Sequence, residues 1–299
     1  MSGNGIDWSQ RIHLAIKHIE ENLEENLRLQ DVADIACCSK YHFHRLFYGF
    51  VGTTFAEYVR RRRLTLAAKD LLRGKSKVID IAAKYNYESH NAFTRAFRKV
   101  HGFNPSEIRS YQSKLASYSR ASFPNLINCG VKMQYQIVNR QSFDVLGKSK
   151  NFRFDDFVKN GPKFWKEYVA SDAYQRLYRI TEGRPGEVSE AALLSVYFPT
   201  DGQVGDEFTD VLGVEAGRDL SLTGHTRHTV PAATYADFYC TYKTSMKTNR
   251  YIYGEWFPST NYERDGDKPD LVSYFPIAFR PMGEMIVRWS IPVLFSEEL

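Results

Sequence analysis

Residues 39–57 and 89–107 spell the same pattern fifty positions apart, and that repeat constrains the first third of the chain more than any other feature. Ser39, Phe43, Arg45, Phe47, Gly52 and Glu57 recur as Ser89, Phe93, Arg95, Phe97, Gly102 and Glu107, with Thr54 opposite Asn104. Each identity has a mechanical reading. Ser opens a helix by accepting a backbone N–H of its first turn. The two Phe, four residues apart, share one buried face, and Gly ends the helix in a left-handed cap. Thr or Asn then caps the next helix, with Glu three positions on to close a capping box. The residue this pattern leaves facing outward is Arg45 in one copy and Arg95 in the other.

The flanking sequence turns each copy into a helix-turn-helix. Ile12, Ile16, Ile19 and Leu23 recur at helical spacing and predict an opening helix over roughly 8–25. A short helix near 29–36, a turn at Cys37 and Cys38, and the helix begun by Ser39 make the first unit. Ile79, Ile81 and Ala82, a turn at Asn86 and Tyr87, and the helix begun by Ser89 make the second. Between them a helix capped by Thr54 runs to Arg73, where Gly74 stops it. Some 20 residues at about 1.5 Å rise span about 30 Å. That is close to the ~34 Å between successive major grooves on one face of B-DNA. The spacing therefore predicts two reading helices in adjacent grooves of double-stranded DNA, presented by one chain.

On the first reading helix Phe43, Leu46, Phe47 and Phe50 form the core face, with Tyr41, His44, Arg45 and Tyr48 opposite. On the second, Phe93, Ala96, Phe97 and Val100 face inward. Asn91, Thr94, Arg95 and Arg98 face out, and His90 lies near the exposed start. Arg donates bidentately to guanine, Asn to adenine and His to purine acceptors, while Tyr packs on a thymine methyl or bonds phosphate. Tyr41, His44, Arg45, His90, Asn91 and Arg95 are thus the candidate DNA contacts. The four cations at 60–63 cannot all aim at one partner from a helix. One or two phosphate contacts are expected there, with the other cations in surface ion pairs or packing their stems and a solvated face as the default.

Charge separates the two parts of the chain. Residues 1–122 hold 20 Lys and Arg against 12 Asp and Glu, a net of +8, and the remaining residues hold 20 against 23, a net of −3. Only the first part is suited to a polyanion. Cys37, Cys38, Cys129 and Cys240 form no CxxC pair and have no His at metal-ligand spacing, so reduced thiols and no metal are expected. No signal peptide and no stretch of about 18 apolar residues appears, which predicts a cytoplasmic, nucleoid-associated protein without a membrane partner.

Residues 114–130 are Ser-rich, broken by Pro124 and Gly130, and read as a linker between domains at 1–113 and 131–299. In the second part, alternation predicts strands at 131–138, 143–147, 193–198, 233–239, 271–275 and 285–293. Helical segments are expected near 155–179 and 243–257. The order suggests two β-α-β-β halves of an α+β domain, with a hairpin-like start at 131–150 echoed at 225–240. Trp165, Tyr197, Tyr239, Tyr251, Glu255, Trp256 and Tyr274 are the candidate ligand residues, an aromatic wall with a carboxylate suited to an organic cation.

These segments resemble known families. LRLQDVADIACCSKYHFHRLF (27–47), RRRL (61–64) and IDIAAKYNYESHNAFTRAFRKVHGFNPSEIR (79–109) resemble the AraC/XylS transcriptional regulators, in the MarA/SoxS/Rob branch. The resemblance implies a seven-helix, double helix-turn-helix domain that binds asymmetric sites as a monomer. It places base or groove contacts at Tyr41, His44, Arg45, His90, Asn91 and Arg95. Both turns usually carry Gly, whereas this chain has Cys37 and Asn86. VPAATYADFYC (230–240), YIYGEWFPSTNYERDGDKPDLVSYFP (251–276) and IVRWSIPV (286–293) resemble the GyrI-like effector-binding domain, which takes amphipathic or cationic organic molecules between its two halves. A Glu common on the late strand of that family is Val272 here.

The expected function is a transcriptional regulator, an activator with RNA polymerase as partner, carrying a small-molecule sensing domain. No enzyme activity and no cofactor are expected. A hydrolase built on Glu255 with Tyr274 or Tyr197, or a partner-docking module without ligand, are the alternatives for the second part.

Overall fold

A computed structural model of the chain describes residues 8–74, 76–121, 133–200, 207–217, 219–266, 268–275 and 282–296. They fall into two compact units, at 8–121 and 133–296.

The first unit is helical: α1 (Trp8–Glu21), α2 (Leu29–Ile35), α3 (Lys40–Val51), α4 (Phe55–Arg73), α5 (Val78–Lys84) and α6 (His90–His101). Its repeated signals act as their chemistry requires. Ser39 Oγ accepts from His42 N, and Ser89 Oγ from Ala92 N. Gly52 and Gly102 end their helices at φ 77° and 88°, in the left-handed region that favours Gly. Thr54 caps α4 through Glu57 N. The capping boxes differ: Glu107 reaches back to Asn104 N, whereas the Glu57 carboxylate is held by Arg60 and Arg61. The expected seventh helix is replaced by two short 3₁₀ turns, Pro105–Glu107 and Gln112–Lys114. Among the described residues there, Pro105 and Ile108 are buried, too little apolar burial to offset helix nucleation. Two apolar cores mirror the repeat. Phe43, Phe47, Phe55 and Tyr58 pack ring to ring in the first half. Phe93, Phe97 and Phe103 pack with Leu64, Ala67 and Ala68 of α4 in the second.

The segment after Lys114, expected as the start of the linker, lies along α4. Tyr118 N donates to Thr65 Oγ1, Tyr118 O accepts from Arg62, and Ala121 N donates to Tyr58 Oη. The remaining linker residues fall outside those described.

The second unit holds β1 (Tyr135–Arg140), β2 (Phe143–Arg153), α7 (Phe154–Val169), α8 (Asp172–Thr181), β3 (Leu193–Pro199), β4 (Glu207–Glu215), β5 (Thr226–Val230), β6 (Ala233–Thr241), α9 (Ser245–Tyr251), β7 (Tyr262–Arg264), β8 (Asp270–Phe275) and β9 (Ile286–Phe295). The sheet order is β1-β6-β9-β8-β3-β4-β2-β5, all neighbours antiparallel, with β7 on β9. Two β-α-β-β halves, β2-α-β3-β4 and β6-α-β8-β9, meet at the β3–β8 pair. The hairpin expected at 131–150 is not formed. β1 pairs with β6 of the other half, and β5 pairs with β2, so the leading strands are exchanged.

That exchange bends the sheet. β1 and β2 are joined by two residues yet stand six strand spacings apart, about 29 Å if the sheet were flat. Three peptide links reach only about 11 Å, so the sheet must curl until its edges meet. Phe143 of β2, Val230 of β5 and Tyr235 of β6 share one concave core with Leu194, Val196, Val211 and Leu271. β4 is absent from the sequence expectation because it is covered on both faces: buried Phe208, Asp210, Val211, Leu212 and Val214 break the alternation of two. At its crossing with β2, Gly147 stands opposite Gly213. A Cβ on Gly213 would lie 2.1 Å from Leu146 O, so only Gly fits that approach.

Candidate nucleic-acid interface and aromatic site

The two reading helices are presented unequally. On α6 His90, Asn91, Arg95 and Arg98 are exposed and Thr94 is half-buried, while Phe93 and Phe97 are fully buried. This is the arrangement expected from the sequence. On α3 the outward set is not outward: Tyr41 is 9%, His44 2% and Arg45 3% exposed. Tyr41, His42, Phe43, His44, Arg45, Leu46, Phe47, Gly49 and Phe50 are all buried, and Tyr48 is half-buried. Arg45 Nη2 donates to Tyr41 Oη at 3.0 Å, one turn back, and its guanidinium lies 5.3 Å from the Tyr41 ring. Pattern alone identifies the face opposite the Phe residues. It does not set how far that face is buried.

Both turns hold a non-Gly residue in the left-handed region, Cys37 at φ 53° and Asn86 at φ 60°. Alignment of the turns shows a slip: α2 and α5 are offset by 49 residues, α3 and α6 by 50, so the second turn is one residue longer. Burial pushes the Cys38 thiol up to about 12, which keeps it protonated near neutral pH.

The cation run on α4 holds the expected surface ion pairs at Arg60 and Arg61, but Arg62 and Arg63 turn into the unit. Arg60 and Arg61 pair with Glu57. Arg62 forks onto Glu20 of α1 at 2.8 and 2.7 Å, both side chains about a tenth exposed. Arg63 donates to Leu23 O at 2.8 Å and Glu25 O at 2.6 Å. All four guanidinium groups are engaged within the unit.

The seven candidate ligand residues divide into three places. Tyr197 on β3 and Tyr274 on β8 lie on the central strands, on the convex face of the sheet. Trp165 of α7 stands 5.6 Å from the Tyr274 ring and 5.7 Å from that of Tyr242. Tyr197 contacts Phe157, Phe208 and Trp289. Burial, reinforced by Tyr197, Asp210 and Tyr242 nearby, pushes the Tyr274 phenol far up, so it remains a neutral hydrogen-bonding group. Tyr251, Glu255 and Trp256 sit elsewhere, where α9 continues as a π-helical turn at Ile252–Trp256. Trp256 stacks on Tyr262 at 5.5 Å and meets Phe238 and Tyr135 edge-on. Tyr239 belongs to the opposite sheet face, half-exposed, with its hydroxyl 3.3 Å from Arg288 Nη1.

Val272, standing where a Glu was a family expectation, is buried between Ser195 and Trp289 in register. Two carboxylates that pattern reading missed lie in the neighbouring row of the same face. Asp210, opposite Tyr197, accepts from Ser195 Oγ. Asp270, on the other side of Tyr197, accepts from Arg264 at 3.0 Å and Tyr253 at 3.1 Å. Strand register was the signal needed to find them. A separate cleft of about 740 Å³, lined by Asp144, Arg184, Glu187, Glu215 and Thr229 among others, contains none of the seven candidates.

Among the described residues no helix is long and apolar enough to cross a membrane. A family model described as a helix-turn-helix domain matches residues 32–111, and one described as an integron-associated effector binding protein matches residues 136–275. The HTH-type transcriptional regulator YbfP of Bacillus subtilis is 36% identical over 116 residues, which cover 39% of this chain and 39% of YbfP. The regulatory protein SoxS of Salmonella typhimurium is 35% identical over 104 residues, covering 35% of this chain and 97% of SoxS. The transcriptional regulator Rob of Salmonella typhimurium is 28% identical over 175 residues, 56% of this chain and 60% of Rob. The chain thus spans well under two thirds of YbfP and Rob but nearly all of SoxS. On that near-complete match and the repeated helix-turn-helix, the chain belongs to the AraC-type family of helix-turn-helix transcriptional regulators.

Proposed function

We propose that the chain reads an asymmetric DNA site through two helices set in adjacent major grooves, and that its second unit binds a small amphipathic or cationic organic effector that changes transcription, with activation through RNA polymerase. The observation that carries the reading is the paired frame joined by the 19-residue helix α4, about 28 Å long. Its reading faces differ, Tyr41, His44 and Arg45 against His90, Asn91 and Arg95, so the two half-sites should differ as well. With its polar residues exposed, α6 is ready to meet a groove in this conformation.

For the effector, the supporting observation is the aromatic group of Trp165, Tyr197 and Tyr274 with Asp210 beside it, on the strands where the two halves meet. Aromatic faces and a carboxylate in low dielectric favour an organic cation. Tyr251, Glu255, Trp256 and Tyr239 lie in other clusters and are not part of this proposed site.

Selection of duplexes from a random library with the full chain tests the first claim. A two-part, non-palindromic site is expected, and enrichment of palindromes or of no motif would reject it. A melting-shift screen against lipophilic organic cations and neutral isosteres tests the second. Equal shifts by the neutral isosteres would reject charge recognition.

A further inference from the structure

The loop between α1 and α2 is held at three consecutive residues by α4 and by the second turn. Arg63 of α4 donates to the carbonyls of Leu23 and Glu25. Asn86 Nδ2 donates to the carbonyl between them, Glu24 O, at 2.6 Å. Lys84 Nζ lies 3.1 Å from the Glu24 carboxylate and 2.7 Å from Asp70 of α4, whose other partner is the Tyr85 hydroxyl at 2.9 Å. The brace thus joins the loop that leads into the first helix-turn-helix to the turn of the second.

Asn86 has a double placement that gives it leverage. Its backbone is the left-handed turn residue at φ 60°, three positions before Ser89, which caps α6. Gly would satisfy that backbone equally well, and with less strain. Gly has no amide with which to cross to Glu24. Cys37, at the equivalent place in the first turn, contacts Ile35 O, two residues back, and no more distant partner among the described residues. The side chain at position 86 therefore adds nothing the turn needs and supplies a tie between halves.

We propose that Asn86 is a positioning residue: with Arg63 and Lys84 it locks α6 to the first half and so sets the spacing between half-sites that the reader accepts. The assignment rests on the two-groove reading above. α4 alone fixes the separation of the halves along one axis. Each half packs on α4 through its own apolar core, and a direct polar tie between the halves further limits twist of one against the other about that axis; DNA converts such twist into spacing, because one base pair is about a tenth of a turn. The brace supplies that tie.

The experiment uses the full chain, with wild type and Asn86→Gly put through the same duplex selection at fixed salt. The site each selects is then remade with one base pair added to or taken from the spacer. Wild type should lose about tenfold in affinity for either altered spacer, the scale of one mismatched pair. Asn86→Gly should bind at least one altered spacer within about threefold of the original, with base preferences inside each half unchanged. Lys84→Met should move the penalty the same way to a smaller extent. A variant that keeps the full tenfold penalty overturns the assignment while leaving the DNA reading intact. A wild type that selects no two-part site overturns both. Purely structural damage would lower affinity for all spacers alike, which also counts against the assignment.

Discussion

Replacing Arg62 by Met tests whether the cation run on α4 is a brace or a surface. The guanidinium makes two bonds to Glu20 and a third to Tyr118 O, and Glu20 also accepts from Tyr58 Oη at 2.7 Å. Removing one partner of a buried pair costs about 3–5 kcal/mol because the other charge is left in low dielectric. Here both side chains keep about a tenth of their exposure and Tyr58 still serves Glu20, so the low end, about 3 kcal/mol, applies. Hydrogen exchange read by mass spectrometry on the full chain reports this for α1 and α4 separately from the second unit, which a single melt would blur. Slow amides in those helices should lose about a hundredfold in protection. Burial by itself would raise the Glu20 carboxyl, but the Arg62 fork and the Tyr58 hydroxyl outweigh it and hold it below its ordinary value. A depressed carboxyl contributes stability above its unfolded pKa and loses it as pH falls through the folded one. The gap between wild type and variant should therefore be full at pH 7 and close below about pH 4. A change in protection below threefold at pH 7 would refute the brace and restore the solvated-face expectation.

Arg95→Ala should cost about 1–3 kcal/mol of binding and relax base preference in one half-site only, measured by competition among selected duplexes. Cys37→Gly should stabilise the reader by about 1 kcal/mol, the left-handed strain relieved less the greater freedom of Gly in the unfolded chain, and urea titration would show it as a higher midpoint. Gly213→Ala should destabilise the second unit by at least about 1–3 kcal/mol, because its Cβ meets the β2 backbone rather than a movable side chain; an unchanged melting temperature would contradict the close approach. Trp165→Ala should weaken binding of a lipophilic cation by about 1 kcal/mol or more in a direct titration, while leaving a ligand that does not contact Tyr274 unaffected.

The reader was legible in the sequence because its signals are local. Caps, left-handed glycines and Phe pairs act within one or two turns, so Ser39, Gly52, Ser89 and Gly102 mark helix ends wherever the chain goes afterwards. The α6 face came from the same periodicity. What periodicity could not supply was the burial of each opposite face. Arg45 and Arg95 hold the same place in the repeat, yet one is buried and the other exposed. Arg62 looked like its neighbours and lies against Glu20, 42 residues away. The same limit applies to the sheet. Six strands could be read from alternation, but the exchange of β1 and β5 depends on pairings about 80 to 100 residues apart. Asp210 and Asp270 flank Tyr197 only because register sets them there. Sequence alone determines which short segments become helix or strand, since those energies are summed over neighbours along the chain. Which faces are covered, which charges are paired and which side chains converge depend on long-range contacts, and only the tertiary structure decides them.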